Sequence, residues 1–99
     1  MVKDYETTIV FDGNLDESAV NAELDKFKVL IETHGGTIKT KTSTGRRRLA
    51  YKVGNKEYGN FVLLVHDGDS SLISAMERQL EIDENVIRHL CVKRDKFAP

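Results

Sequence analysis

Two kinds of hydrophobic spacing alternate along this chain, and their order leaves few folds open. DYETTIVF (residues 4–11) alternates with period two: Tyr5, Thr7, Ile9 and Phe11 fall on one face and Glu6, Thr8 and Val10 on the other, as in a strand. After the DGN break, Val20, Leu24, Phe27 and Ile31 recur at i, i+4, i+7 and i+11, a single helical stripe. Asn14, with Glu17 three residues on, and Asp16 are rival caps for its start. Gly35-Gly36 ends it, and His34 sits in the last turn, where a cation suits the helix dipole. TIKTKTS (37–43) alternates again and runs into TGRRRLAYKV (44–53), where Gly45 predicts a bulge or bend. GNKEYG (54–59) reads as a turn. NFVLLVH (60–66) is apolar almost throughout, which predicts a strand that is central or buried on both faces. DGDSS provides a turn and a cap, and Leu72, Ile73, Met76 and Leu80 form a second, shorter stripe. DEN then precedes a last strand, VIRHLCVK (86–93).

Strand, helix, strand, strand, helix, strand is the ferredoxin-like split βαβ order of an α+β sandwich. Each helix has one apolar stripe to bury, so both cover the same face of a four-stranded sheet. The opposite face is left open. The apolar run of the third strand places side chains on both faces, so part of that open face is apolar and suited to docking. The 99 residues make one domain, 1–99, with a modest core.

Composition, at 39% apolar and 31% charged residues, is that of a globular chain. No apolar run approaches the roughly 20 residues of a membrane span, and the opening MVKDYE lacks the apolar core of a secretory signal. Cys91 is the only cysteine, so no internal disulfide forms and a reducing compartment is expected.

A net charge of −1 argues at first against nucleic acid, but its distribution does not. Residues 37–58 carry seven bases (Lys39, Lys41, Arg46, Arg47, Arg48, Lys52, Lys56) against Glu57. Residues 88–96 carry Arg88, Lys93, Arg94 and Lys96 against Asp95. These stretches hold +6 and +3, leaving −10 on the remainder, and a local basic field binds phosphate whatever the total. Lys39 and Lys41 also read as charges that keep an edge strand from pairing with another chain.

Other chemistries lack their residues. No P-loop, G-x-S-x-G or paired nucleophile and base is present, and adjacent Asp83 and Glu84 read as solvation of a turn. His34, His66, His89 and Cys91 have no metal-ligand spacing; His89 and Cys91, two apart on a strand, read as an ordinary pair. An acylphosphatase would need an arginine in the loop after the first strand, where this chain has the acidic DGNLDE. An RNA-recognition motif would need paired rings on the third strand; Phe61 is in place, but Gly59 stands where its partner would be, and Tyr5 is a weak substitute.

Several segments, taken together, resemble bacterial and organellar small-subunit ribosomal protein six. Tyr5-Glu6 is similar to the family's opening. GRRRLAYKV resembles its Gly-Lys/Arg-Arg-x-Leu-Ala-Tyr-x-Ile signature at Gly45, Arg47, Leu49, Ala50 and Tyr51. Gly59 and Phe61 resemble the start of its third strand, and IDENVIRHLCVK, with Arg88, its final turn and strand. The resemblance covers nearly all of the chain. It departs at Lys52, where proline is usual, at Gly13-Asn14, and in an additional arginine at 46 or 48.

The resemblance implies a non-enzymatic structural protein of the small-subunit platform, in a bacterial cytoplasm or a plastid stroma. It implies a heterodimer with small-subunit ribosomal protein eighteen on the central domain of the small-subunit ribosomal RNA. No cofactor, metal, membrane or small-molecule substrate goes with it. Arg46, Arg47, Arg48, Arg88, Lys93 and Arg94 are then candidates for RNA, and Leu49, Tyr51, Val53 and Phe61 for the protein partner. On a strand Arg46, Arg48, Ala50 and Lys52 share one phase and Arg47, Leu49, Tyr51 and Val53 the other, unless a bulge at Gly45 resets them. Leu49 and Tyr51 fit either the core or an interface. The rival reading is a ferredoxin-like regulatory or protein-binding module acting through the open sheet face.

Overall fold

The computed structural model describes residues 3–94; Asp95 and Lys96 of the second basic stretch lie outside the described residues. The elements are β1 (Lys3–Asp12), α1 (Glu17–Thr33), β2 (Ile38–Val53), β3 (Lys56–Gly68), α2 (Ser70–Ile82) and β4 (Val86–Lys93). The sheet order is β2-β3-β1-β4, with each neighbouring pair antiparallel. This is the expected split βαβ sandwich.

Local chemistry accounts for the boundaries. Asp16, not Asn14, caps α1: its Oδ1 accepts from Ala19 N at 2.8 Å. Asn14 lies in the turn before the helix, its N–H bonded to Asp12 Oδ1 at 3.0 Å. Asp69 caps α2 in the same way, through Leu72 N at 3.1 Å. Each such cap contributes about 1 kcal/mol. His34 lies just past the last turn as the C-cap. Gly35, at φ 80°, then bonds back to Glu32 O and Gly36 to Ile31 O, at 3.0 and 2.8 Å. That pair of bonds closes a helix whose next residue must be left-handed, which is why glycine stands there. The β2–β3 turn is tighter than GNKEYG suggests. Only Gly54 and Asn55 lie outside the strands, because Lys56 to Gly59 already belong to β3.

The core is one layer between the helices and the sheet. Ile9, Phe11, Val62 and Leu64 face Val20, Leu24, Phe27 and Ile31 of α1 and Leu72, Met76 and Leu80 of α2. Ile73, counted in the second stripe, stays half-buried. β3 is central, yet only its inner side is sealed: Val62, Leu64 and His66 are buried, while Phe61, Leu63 and Val65 are half-exposed. Truncating a core residue such as Phe27 removes contacts that nothing else replaces, at about 3–5 kcal/mol.

Polar groups in this layer are paired. Thr7 Oγ1 lies 2.7 Å from His66 Nε2 and 3.3 Å from Cys91 Sγ, and His66 Nδ1 lies 3.1 Å from Asp67 O. A carbonyl can only accept, so Nδ1 carries the proton and Nε2 accepts from Thr7. Burial keeps His66 below the usual histidine range, hence neutral. Burial also pushes the Cys91 thiol up, which makes it a packing residue and not a nucleophile.

A carboxyl pair joins α1 to the end of α2. Glu23 is buried, bonded by Lys26 Nζ at 2.8 Å and Asn85 Nδ2 at 3.4 Å. Glu23 Oε2 and Asp83 Oδ2 are both sealed from solvent with no other partner. Burial, and then the bond to Glu23, raise the Asp83 carboxyl. Burial would raise Glu23 as well, but bonds to Asp83, Lys26 and Asn85 outweigh it and hold Glu23 low. Asp83 is therefore the more readily protonated of the two.

The sign of its linkage follows. A raised acid stabilises the fold below its ordinary pKa of about 3.9 and loses that contribution as pH rises through the raised value. Asp83→Asn keeps a donor for Glu23 and an acceptor for Asn85 N–H without the charge. In urea unfolding followed from about pH 4 upward, the wild-type midpoint is expected to decline relative to Asp83→Asn as pH rises through the raised Asp83 value. Parallel midpoints over that range would show that the Asp83 carboxyl is not raised.

Candidate functional site

The face of the sheet away from the helices is uncovered. Strand pairing sets its composition: Val10 lies between Phe61 and Arg88, and Thr8 between Leu63 and Leu90. Leu90 and Val92 are 61% and 47% exposed. The face is therefore apolar at its centre, and neither helix packs on it.

The far end of β2 leans across it. The strand breaks register between Ser43 and Gly45, with Gly45 at φ 80°, so the expected bulge is present. Beyond it Arg47 pairs with Gly59, on the open face, whereas Arg46 pairs with Asn60 and Arg48 with Tyr58, on the helix side. The two phases read from the sequence thus separate in space. Leu49, Tyr51, Val53 and Phe61, the four residues expected to meet a protein, border one cleft of about 450 Å³ with Val10 and Leu90.

Gly59 makes this possible. A Cβ there would lie 2.5 Å from Val10 Cγ1 and 3.3 Å from Leu49 Cδ2. The place where a base-stacking ring would stand is thus taken by aliphatic carbon. Tyr5, the weak substitute, lies on the other phase, stacked at 6.1 Å on His66. Paired-ring stacking on bases is not available on this sheet.

Tyr51 is 62% exposed, which removes it from the core. Arg88 Nη1 donates to its hydroxyl at 2.7 Å, and that guanidinium lies 5.8 Å from the ring. The hairpin end and β4 are so joined over β1 and β3, and the cleft lies beneath the join. Leu49 is half-buried against Gly59 and Val10, so it forms a wall of the cleft.

The six candidate cations fall into two groups. Arg46, Arg47, Arg48 and Arg88 gather around the hairpin. Lys93 and Arg94 stand at the other end of β4, five residues from Arg88, or roughly 17 Å along a strand. Arg94 pairs with Glu6 at 3.3 Å, and Arg46 Nε donates to Gly13 O at 2.9 Å. Arg47, Arg48 and Lys93 make no ion pair among the described residues. Lys39 is paired with Asp4 at 2.7 Å, consistent with an edge-strand charge held along the sheet.

Val10, Leu90 and His89 line the cleft but were not among the residues expected to meet a partner. A signal existed for Val10, an apolar residue in the otherwise polar phase of β1. None existed for His89. Among the described residues no three His, Cys, Asp or Glu side chains come together to hold a metal.

Comparison with known proteins gives a consistent result. The family model described as ribosomal protein S6 matches residues 4–93. Small ribosomal subunit protein bS6 of Prochlorococcus marinus strain MIT 9312 is 37% identical over 95 residues, covering 96% of this chain and 62% of that protein. The same protein from strain MIT 9211 is 36% identical, and this chain spans 55% of its length. The chain thus reaches little more than half the length of these relatives. The bS6 protein of Clostridium kluyveri is 35% identical over 92 residues, 93% of this chain and 97% of that one. A crystal structure of 30S ribosomal protein S6 from Thermotoga maritima superimposes with a TM-score of 0.87 at 20% identity, over 95% of this chain and 89% of that one, which establishes the shared fold.

Two substitutions check the geometry of the cleft without any partner. Tyr51→Ala should leave chemical denaturation within about 1 kcal/mol of wild type, since the ring is outside the core. Gly59→Ala should destabilise by about 1–3 kcal/mol, because Val10 is stiff and the added carbon overpacks it. A large loss from the first, or none from the second, would mean that the hairpin does not lean over the sheet in this way.

Proposed function

Because the chain belongs to the ribosomal protein S6 family, we propose that it is a structural, non-catalytic constituent of the small ribosomal subunit. In this reading it binds the central domain of the small-subunit RNA, on the platform, as a heterodimer with small-subunit ribosomal protein eighteen. The ribosome of a bacterial cytoplasm or a plastid stroma is the compartment that goes with it. The observation that carries the proposal is an apolar cleft on an uncovered sheet face, bordered by Leu49, Tyr51, Val53 and Phe61, with arginines on both sides of the strand that forms it.

The division of labour follows from β2. Its apolar phase and Tyr51 give a protein partner a desolvated centre, the part of an interface that contributes most affinity. Arg88, bonded to the Tyr51 hydroxyl, serves beside it as a second anchor. Arg46 and Arg48 on the reverse side, with Arg47 at the edge, are left for phosphate. RNA and protein then occupy different faces of one strand and bind without competing.

Charge explains why a partner is needed. With a net charge of −1, the isolated chain has little long-range attraction for a polyanion. A basic partner that adds phosphate contacts supplies it, and docking both proteins on one RNA couples their affinities. Titrating a platform RNA fragment with this chain alone should give weak binding. Adding the partner should tighten it by roughly 5–150-fold, the usual range of such coupling. Equal affinity with and without the partner would overturn the heterodimer reading and favour a module that uses its open face for another protein.

A further inference from the structure

On the helix side of the sheet, opposite the apolar cleft, a second cleft of about 290 Å³ lies between the end of β1 and the start of β3, beside the β2–β3 turn. It is near the lower limit of small ligand sites. Four charged side chains line it: Asp12, Arg46, Lys56 and Glu57. Three of them are compensated. Asp12 Oδ2 accepts from Lys56 Nζ at 2.6 Å and Oδ1 from Asn14 N–H at 3.0 Å. The Lys56 bond, and after it the Asn14 bond, hold the Asp12 carboxyl below its usual range, so it stays ionised and engaged. Glu57 Oε1 lies 3.3 Å from Lys52 Nζ.

Arg46 is different. Its guanidinium carbon lies 3.9 Å from the centre of the Tyr58 ring, and its Nε donates to Gly13 O at 2.9 Å. The ring and the carbonyl hold the group in place, but neither neutralises it. Its two terminal nitrogens have no acceptor among the described residues. The guanidinium is thus ordered before any ligand arrives, and its free edge is a planar two-nitrogen fork. Such a fork matches two oxygens of one phosphate, and little side-chain entropy remains to be lost on binding. The four lining charges sum to zero, and Lys52, paired with Glu57 from outside the lining, brings the surroundings to +1, with Arg46 as the lining cation that has no ion pair among the described residues, which suits a monoanion.

Resting on the RNA-binding reading above, we propose that Arg46 is a preformed clamp for a single phosphodiester group of the RNA backbone. Tyr58 and Gly13 are its positioning groups. The members of the arginine triplet are then not equivalent: Arg47 and Arg48 contribute field, whereas Arg46 sets where the backbone lies against the hairpin. The clamp sits on the reverse of the strand from the apolar cleft, so it remains open when a protein covers that face.

Arg46→Lys and Arg46→Gln, each made in the full chain and measured in the heterodimer on the platform RNA fragment, test this. Both variants should bind roughly tenfold more weakly, the loss of a charge-assisted bidentate contact. The slope of log affinity on log salt should fall by about 0.7–0.9 for Arg46→Gln. Lysine should fail to rescue affinity, because an ammonium can neither stack flat on Tyr58 nor present a fork. Wild-type affinity for Arg46→Lys would show that charge alone matters and overturn the clamp. Thermal melts of both variants verify folding.

A second readout does not depend on the ribosomal assignment. Dimethyl phosphate titrated into the free chain should shift the Arg46 Nε–H and Gly13 amide resonances saturably, and Arg46→Gln should abolish the Gly13 shift. Uniform shifts at Arg46, Arg47 and Arg48, or none, would sink the proposal. If the wild-type heterodimer binds no platform RNA, the RNA reading fails, and this titration alone decides whether the clamp exists.

Discussion

Side chains alternate across a strand, so the antiparallel pairing of β1 with β3 sends Ile9 and Val62 beneath the helices and Val10 and Phe61 to the opposite face. These two strands form the middle of the sheet, and a slip of one residue between them would exchange the two faces. The inner face cannot move, because Ile9, Phe11 and Leu64 are fully buried against two helices whose apolar stripes have nowhere else to go. The outer face is therefore determined by the inner one. Val10, Phe61 and Thr8 stand on the face away from the helices as a direct result of what the core requires.

β2 builds on that surface. As an edge strand it has one neighbour, and it outlasts the helices, so its distal half is free of the core. The bulge at Gly45 sets its phase, and the missing side chain at Gly59 lets Leu49 settle onto Val10. A hairpin that would otherwise extend into solvent is thereby laid over the sheet and joined to β4 through Tyr51 and Arg88. Arginines and apolar residues that are adjacent in the chain end on opposite sides of one ribbon. Strong local polarity coexists in this way with a chain of nearly zero net charge.

The polar interior shows the same economy. Thr7, His66 and Cys91 form one hydrogen-bonded line under the sheet, and Glu23 with Asp83 closes the end of the helical layer. These groups are polar residues of the kind that catalysis uses, yet each is taken up by a neighbour within the fold. Burial raises Cys91 and lowers His66, which moves both away from reactivity at neutral pH.

What the sequence determined by itself was whatever depends on periodicity and local capping. The six elements, the two helical stripes, the bulge at Gly45 and the two phases of GRRRLAYKV all follow from spacings of two or 3.6 residues and from glycine, which the chain carries in one dimension. The choice between Asn14 and Asp16 as cap was not legible, because it depends on where the chain leaves the turn after β1, which places the Asp16 carboxylate at Ala19 N. Nor was the place of Tyr51, since a ring on a strand fits a core or a surface equally well until the neighbouring strands are in position. The same holds for Arg46: nothing in its sequence neighbours distinguishes it from Arg47 and Arg48. Only the tertiary structure brings Tyr58 under its guanidinium and Gly13 to its Nε, because those contacts join residues 12 and 33 positions apart.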